Sequence, residues 1–322
     1  MKRFGRRLEE LLERTGTLPR VLVLLDYDGT LVPIRSRPDL AKMTDEQRAT
    51  LEELNTGRLR LAMLSGRSVA DLRARVDLPD IIYAGVFGSE MREPGWHFIQ
   101  PAARGLRGPI KVLAGRLRRH FEDIPGARVE DKGVGVCVHY RNVPDDHRVT
   151  FDRRVAEVRA DCPPGMRWRH GQKSWEISAL APWNKGKAAL LLWRRLGKPY
   201  LLAFGDDVFD EATFRAVQGR GAGVRVGRGR SAARYRLADP AAVHHFLRRL
   251  ADRAGRPLKP WLRRPPVRPA KRAGPSEIFR DAPPAEAPRS RRARGGRRGS
   301  GGATRSGARG PRASRAGRAG RS

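Results

Sequence analysis

Asp26 and Asp28 stand two positions apart in Asp26-Tyr27-Asp28-Gly29-Thr30-Leu31, directly after the apolar run Val21-Leu22-Val23-Leu24-Leu25. Two carboxylates at that spacing straddle a sharp turn and suit a displacement at phosphorus. The first attacks, which splits a hard hydrolysis into two easier steps. The second protonates the leaving oxygen and then takes the proton of water. A hard, oxygen-preferring cation such as Mg2+ would sit on Asp26 and on the backbone carbonyl of Asp28, neutralising charge on the transferring phosphoryl group.

Two other apolar runs end in further candidates, and one more candidate precedes a helix. Ser65, in Leu64-Ser65-Gly66-Arg67, offers a hydroxyl and the free N–H groups of a helix start to a phosphate oxygen. Lys185, in Trp183-Asn184-Lys185-Gly186, supplies a point charge between nucleophile and phosphate. Asp206, Asp207 and Asp210, in Gly205-Asp206-Asp207-Val208-Phe209-Asp210-Glu211, add carboxylates. Asp206 completes a magnesium shell with Asp207 beside it. Asp210 keeps order around that shell, including the orientation of Lys185. Taken singly, these residues also read as a polar turn, an N-cap, a solvated lysine and acids at a helix start.

The elements that position them follow from hydrophobic pattern. Val21 to Leu25, Leu59 to Leu64, Ile81 to Tyr83, Tyr200 to Phe204 and Val224 to Val226 are short runs apolar on both faces, as buried parallel strands are. Helical stretches such as Asp45 to Leu54, Gly186 to Leu196 and Val208 to Val217 lie between them. Strands alternating with helices predict an α/β chain with a Rossmann-like parallel sheet, whose ligands bind beyond the carboxyl ends of the strands. The middle differs. Residues 103–123 and 146–160 read as helices, and the valines of Val134 to Val138 alternate as in a strand with one buried face. Met166 to His170 and Ser174 to Ser178 make a hairpin candidate, whereas Arg128 to Asp131 is weakened by Lys132-Gly133. The expected organisation is a core from 18–97 and 180–252, an inserted α+β lid from 98–179, and a disordered basic tail from 255–322. Leu8, Leu11, Leu12 and Thr15 fit a short helix docked on the core.

The 322 residues carry a net charge of +33, and only 39% are hydrophobic, so part of the chain builds no core. From Arg253 onward there are 21 basic and 3 acidic residues, in Arg-Gly, Pro and Ala-rich sequence. Such a tail favours polyanions, although only Trp261 and Phe279 are there to stack on bases. Two cysteines, Cys137 and Cys162, form no pair motif, which reads as a reducing cytoplasm. No apolar run is long enough to span a membrane, and no apolar segment follows Arg6-Arg7 as a secretory signal requires.

The four loops Asp-Tyr-Asp-Gly-Thr-Leu, Leu-Ser-Gly-Arg, Asn-Lys-Gly and Gly-Asp-Asp-Val-Phe-Asp-Glu, in that order, resemble the signature loops of the haloacid-dehalogenase superfamily. The resemblance implies Asp26 as nucleophile, Asp28 as acid/base, Ser65 and Lys185 on phosphate, and Asp206 on magnesium. Within that superfamily the chain resembles the trehalose-6-phosphate phosphatases. The resemblance rests on Val129-Glu130-Asp131-Lys132-Gly133 with Val138-His139-Tyr140-Arg141-Asn142, on Gly171-Gln172-Lys173-Ser174-Trp175-Glu176-Ile177, and on Gly88-Ser89-Glu90 ahead of Pro94-Gly95-Trp96. It implies a lid that covers the site and grips the sugar through Glu130, Lys132 and Glu176, with Lys173, Arg141 and Arg67 as further substrate-binding candidates. Phe87 stands where the family commonly has histidine, Phe209 where threonine is common, and Gln172 where glycine usually runs straight to lysine. The resemblance leaves open other sugar phosphates (glucosylglycerate, mannosylglycerate or sucrose phosphate). It also leaves open whether a trehalose-phosphate synthase docks on the chain. A reading of another class, an RNA- or polyanion-associated protein acting through its tail, stays open beside it.

Overall fold

The computed structural model describes residues 5–254 apart from 56 and 172. The expected disorder of 255–322 and the departure at Gln172 lie outside the described residues. α1 (Arg6–Thr17) leads into β1 (Val21–Leu25), every residue of which is buried. α2 (Asp45–Leu54) starts at a reciprocal cap: the Thr44 hydroxyl accepts from Gln47 N and the Gln47 side chain accepts from Thr44 N. β2 (Leu59–Leu64), α3 (Val69–Val76) and β3 (Ile82–Gly85) follow, and then a hairpin of β4 (Glu90–Glu93) and β5 (Trp96–Ile99). This hairpin escapes the pattern reading because its strands are four residues long and partly exposed. The core sheet therefore runs to Ile99, past the expected boundary at 97.

The inserted segment holds α4 (Pro101–Gly105), α5 (Arg107–Phe121), β6 (Arg128–Asp131), β7 (Gly135–His139), α6 (Asp145–Ala160), β8 (Met166–Gly171) and β9 (Ser174–Ala179). The chain returns through α7 (Lys185–Arg195), β10 (Tyr200–Gly205), α8 (Glu211–Val217), β11 (Gly221–Val226), β12 (Tyr235–Leu237) and α9 (Pro240–Ala254). The expected helix 103–123 is broken at Leu106, and Val208 to Asp210 is a tighter 3-10 turn ahead of α8.

The larger sheet has the order β12-β11-β10-β1-β2-β3-β4-β5, parallel except around β4 and β5. β1 lies between β10 and β2, so the strand order reverses there and a crevice opens at its carboxyl end. One face packs Leu11, Leu12, Leu51, Leu54, Phe246 and Leu250 from α1, α2 and α9. The other packs Ala188, Ala189, Leu192 and Val217 from α7 and α8. Each large side chain so buried contributes roughly 1.5–3 kcal/mol relative to exposure.

The smaller sheet is antiparallel, in the order β6-β7-β9-β8. Val136, Val138 and Ile177 pack against Ile110, Leu117 and Phe151 of α5 and α6. The alternation then turns Glu130, Cys137 and Glu176 to the opposite face, where they are cross-strand neighbours. β6 forms despite Lys132-Gly133, because Lys132 N donates to Gly135 O and closes the hairpin there. A fourth apolar cluster, Val86, Phe87, Ile99, Ala103, Val134 and Ala179 with Phe209 packed on it, joins the two sheets. No helix among the described residues is long and apolar enough to cross a membrane.

Candidate active site

The crevice at the end of β1 continues into a cavity of about 750 Å³ closed over by the polar face of the smaller sheet. Its deep end is acidic. Asp26 is buried at the tip of β1, and its N–H donates to Phe204 O of β10. Asp206 leaves the end of β10 and accepts from the Thr30 hydroxyl at 3.4 Å. Gly29, at φ +75°, makes this approach possible: a β-carbon there would stand 2.1 Å from Asp206 Oδ2.

Lys185 bridges the acids, with Nζ 2.9 Å from Asp26 Oδ1 and 2.7 Å from Asp210 Oδ1. Its position follows from Asn184, whose side chain accepts from Lys187 N and starts α7, and from Gly186, where a β-carbon would stand 2.2 Å from Ala212 O of α8. Asp210 lies beneath the cavity wall, and its other oxygen accepts from Asp206 N and Asp207 N at 3.1 and 3.0 Å. With both oxygens engaged, Asp210 orients Lys185 and the Asp206 loop. The Asp207 carboxylate accepts from Val208 N, so it caps the following turn at the cavity's edge.

Carboxyl oxygens of Asp26, Asp206 and Asp210 all lie within 4.8 Å of one another. Burial, followed by the neighbouring carboxylates Asp210 and Asp206, pushes Asp26 well above its ordinary range against the pull of Lys185. Burial and Asp210 raise Asp206 to about 7. Burial disfavours charge on Lys185, but Asp210 and Asp26 outweigh it and raise its pKa. Three carboxyls thus crowd one lysine, and all their donors are hard oxygens. That donor set fits a divalent cation of the magnesium class.

Ser65 is buried beside this cluster, and its Oγ accepts from Arg67 N at 3.3 Å. It does not cap α3. That role belongs to Ser68, which accepts from Asp71 N, so the N-cap reading of Ser65 is corrected. Arg67 lines the cavity, but its guanidinium is engaged within the core: Nε and Nη2 donate to Asp28 at 2.6 and 2.7 Å, Nη1 to Asp71 at 2.6 Å, and Nη2 also to Pro38 O. Asp71 in turn accepts from Arg75. In this state Arg67 positions Asp28. Asp71 and Arg75 have no motif of their own, and their (i, i+4) spacing was the available signal.

From the lid, Lys132 reaches across the cavity. Its Nζ donates to Gly66 O at 2.8 Å and to both oxygens of Glu176 at 3.0 Å. Burial works against this ammonium, and Glu176 outweighs it, so its pKa is raised. Glu130 Oε2 lies 2.8 Å from His139 Nε2. Burial raises the Glu130 carboxyl, but His139 and Lys132 outweigh it and hold it at about 2. Arg141 and Lys173 are exposed and line the cavity's outer part, Lys173 at φ +58° in the β8–β9 turn. Twelve of the thirteen expected site residues therefore line one cavity, and Asp210 supports it from below.

Two further features were not legible in sequence. Val86 and Phe87 both take positive φ, 48° and 57°, in a turn closed by Gly88 N to Gly85 O. Residues of that kind rarely adopt it, and hydrogen bonds from Val86 N to Arg67 O and Phe87 N to Ser65 O hold it against the phosphate loop. The ring of Phe87 then lies 4.7 Å from that of Phe209, and Arg169 of the lid sits over both at 4.9 and 5.7 Å. The two phenylalanines that depart from the expected pattern thus form one contact between core and lid.

Comparison with known proteins bears on the family and the fold. The trehalose-phosphatase family model matches residues 24–241. An uncharacterized glycosyl hydrolase of Mycobacterium tuberculosis is 37% identical over 254 residues, covering 74% of this chain and 19% of that protein. A trehalose-phosphate phosphatase of Mycobacterium marinum is 36% identical over 254 residues, covering 73% of this chain and 63% of that one. The chain thus spans less than two thirds of the length of these curated relatives. A crystal structure described as a trehalose-6-phosphate phosphatase related protein superposes with a TM-score of 0.64 at 25% identity, over 72% of this chain and 97% of that one.

Proposed function

The chain belongs to the trehalose-phosphatase family, and from that premise we propose that it hydrolyses trehalose 6-phosphate to trehalose and phosphate. The observation that carries the reading is the convergence of Asp26, Lys185 and Asp206 at one end of a cavity whose other wall presents Glu130, Lys132 and Glu176. The phosphoryl group lies among Asp26, Ser65 and Lys185, and the disaccharide fills the space beneath the lid. Asp26 attacks phosphorus and forms a phosphoaspartyl intermediate. Asp28, released from Arg67, protonates the departing sugar oxygen. It then takes a proton from the water that frees phosphate.

Asp26, Asp206 and the backbone carbonyl of Asp28 would hold Mg2+, with Asp207 at the edge and Asp210 ordering the shell. When bound, the ion offsets charge on the transferring group. Lys185 holds the Asp26 carboxylate in place and faces the phosphate. Glu130, Lys132 and Glu176 supply acceptors and donors to sugar hydroxyls, with Lys173 and Arg141 at the outer rim. We assign 18–97, carried on through β5 to Ile99, and 180–252 to the catalytic core, and the rest of 98–179 to the lid. The basic tail is proposed as a dispensable polyanion-binding extension, the work as cytoplasmic, and a trehalose-phosphate synthase as the supplier of substrate.

The test is phosphate release with Mg2+ from trehalose 6-phosphate, sucrose 6-phosphate, glucose 6-phosphate and glucosylglycerate phosphate. Strong preference for trehalose 6-phosphate is expected. Turnover of another member alone would leave the Asp26 chemistry standing and overturn the substrate.

A further inference from the structure

Beside Glu130 and Glu176, the cavity face of the lid carries two side chains that the hydrolysis does not use, Cys137 and His139. Cys137 stands opposite Glu130 on one side and Glu176 on the other, and His139 follows it two positions later on the same face of β7. Cys137 Sγ lies 3.8 Å from His139 Nδ1, and the other nitrogen of that ring is 2.8 Å from Glu130 Oε2. One donor atom from each of Glu130, Cys137 and His139 lies within 4.8 Å of the other two. Cys137 is fully buried, but Glu130 and His139 line the cavity, so an ion that enters with solvent reaches the group.

This is the pattern of a ligating histidine: one ring nitrogen faces the ion and a carboxylate holds the other, setting tautomer and ring plane. The donors also define the ion. A thiolate and an imidazole suit borderline and soft cations of the zinc class, whereas the all-oxygen cluster at Asp26 and Asp206 suits magnesium. The charges agree. Lys132 neutralises one of the two glutamates around Cys137, which leaves the equivalent of one negative charge. A divalent cation that displaces the thiol proton brings the group to neutrality, so neither the free nor the bound state strands a large charge under the lid.

We propose that Cys137 and His139, oriented by Glu130, form a second metal site in the lid that takes a zinc-class divalent cation and, when filled, blocks the sugar end of the cavity. On binding, the Sγ–H bond breaks, the proton leaves to solvent, and the sulfur lone pair forms the bond to the metal; nothing is oxidised or reduced. The ion ties down Glu130 and sits between the strands that carry Lys132 and Glu176. It therefore competes with the sugar and is not displaced by excess Mg2+. The inhibitory part rests on the function proposed above; the binding part does not.

The full-length protein, stripped of metal, is titrated with Cd2+ while the ultraviolet thiolate-to-metal charge-transfer absorption is recorded. One site should saturate in the wild type and in Cys162→Ser, and be absent from Cys137→Ser. Cys137→Ala serves as a second variant, and thermal melts of both verify folding. His139→Gln should weaken the site at least about tenfold, as loss of an ordering or ligating partner does. In turnover assays with Mg2+ in excess, Zn2+ should raise the apparent KM of the wild type and leave that of Cys137→Ser unchanged. A Cd2+ signal that survives Cys137→Ser, or Zn2+ inhibition that is identical in both proteins, overturns the proposal. Because the absorption needs no turnover, it reads the site even if the substrate panel fails.

Discussion

Arg67 grips both oxygens of Asp28, with Nε 2.6 Å from Oδ2 and Nη2 2.7 Å from Oδ1. A carboxylate held by a two-pronged guanidinium is not free to give a proton, so the grip must loosen when substrate arrives. Arg67→Lys keeps a cation and loses the fork. We expect kcat to fall about 10- to 100-fold, less than the roughly 100- to 10,000-fold that outright loss of a general acid/base costs, with KM changed far less. Steady-state kinetics against trehalose 6-phosphate check this; an unchanged kcat would remove Arg67 from the positioning of Asp28.

The same guanidinium binds Asp71, and this sets a pH dependence of stability. Burial pushes the Asp71 carboxyl up, but Arg75 and Arg67 outweigh it and hold it below its ordinary value. A folded-state pKa that is lowered contributes stability above the unfolded value of about 3.9, and that stability is lost as pH falls through the lower folded value. The stability gap between wild type and Asp71→Asn should be full at neutral pH and close below about pH 4. Urea midpoints measured across that range read it directly. A gap that widens with acid would contradict the assignment.

Asp26, Asp206 and Asp210 crowd around one lysine, so metal-free stability and activity should respond in opposite directions. Asp26→Asn is expected to abolish turnover while melting no lower than the metal-free wild type, because it removes one of the mutually repelling carboxylates. Lys185→Met leaves buried acids without their partner and should cost about 3–5 kcal/mol. Thermal denaturation in chelator compares the two.

Gly29 faces Asp206 so closely that any β-carbon collides with its carboxylate. Gly29→Ala should displace Asp206 and combine a strained positive φ with a broken acidic cluster. The expected result is at least about a 100-fold loss of activity, since small displacements in a catalytic site are costly, accompanied by weaker Mg2+ activation. Assays at graded Mg2+ concentration distinguish this from simple unfolding, because added ion should recover part of the rate.

Arg169 over Phe87 and Phe209 ties the lid to the core. A partly buried contact of this kind is worth about 0.5–2 kcal/mol. Arg169→Met should shift the lid toward open and raise KM up to about tenfold, with kcat nearly preserved. An unchanged KM would reduce the contact to packing.

The chain's local signals reach as far as its local physics. Val21 to Leu25 reads as a buried strand because every residue in it is apolar, and the carboxylates that follow must stand at its end. Asp45 to Leu54 reads as a helix because period and cap agree. Four polar loops in order, three after parallel strands and one ahead of α7, were enough to point to the family, since each loop carries its signature residues within a few positions.

What the sequence leaves undetermined is decided by contacts between distant segments. That Arg67 is engaged by Asp28, that Ser68 rather than Ser65 caps α3, and that Lys132 closes on Gly66 and Glu176 depend on where whole elements dock. The β4–β5 hairpin forms because β4 pairs with both β3 and β5 and only β5 is left at the sheet's edge, so four half-exposed residues suffice in each strand. The grouping of Cys137, His139 and Glu130 needs the register of β6 on β7, which a shift of one residue would turn to the other face. The sequence by itself determined the strand-end carboxylates and the reaction they suit. Only the tertiary structure decided which charges are paired, which are crowded and what closes over them, because those energies arise between residues far apart in the chain.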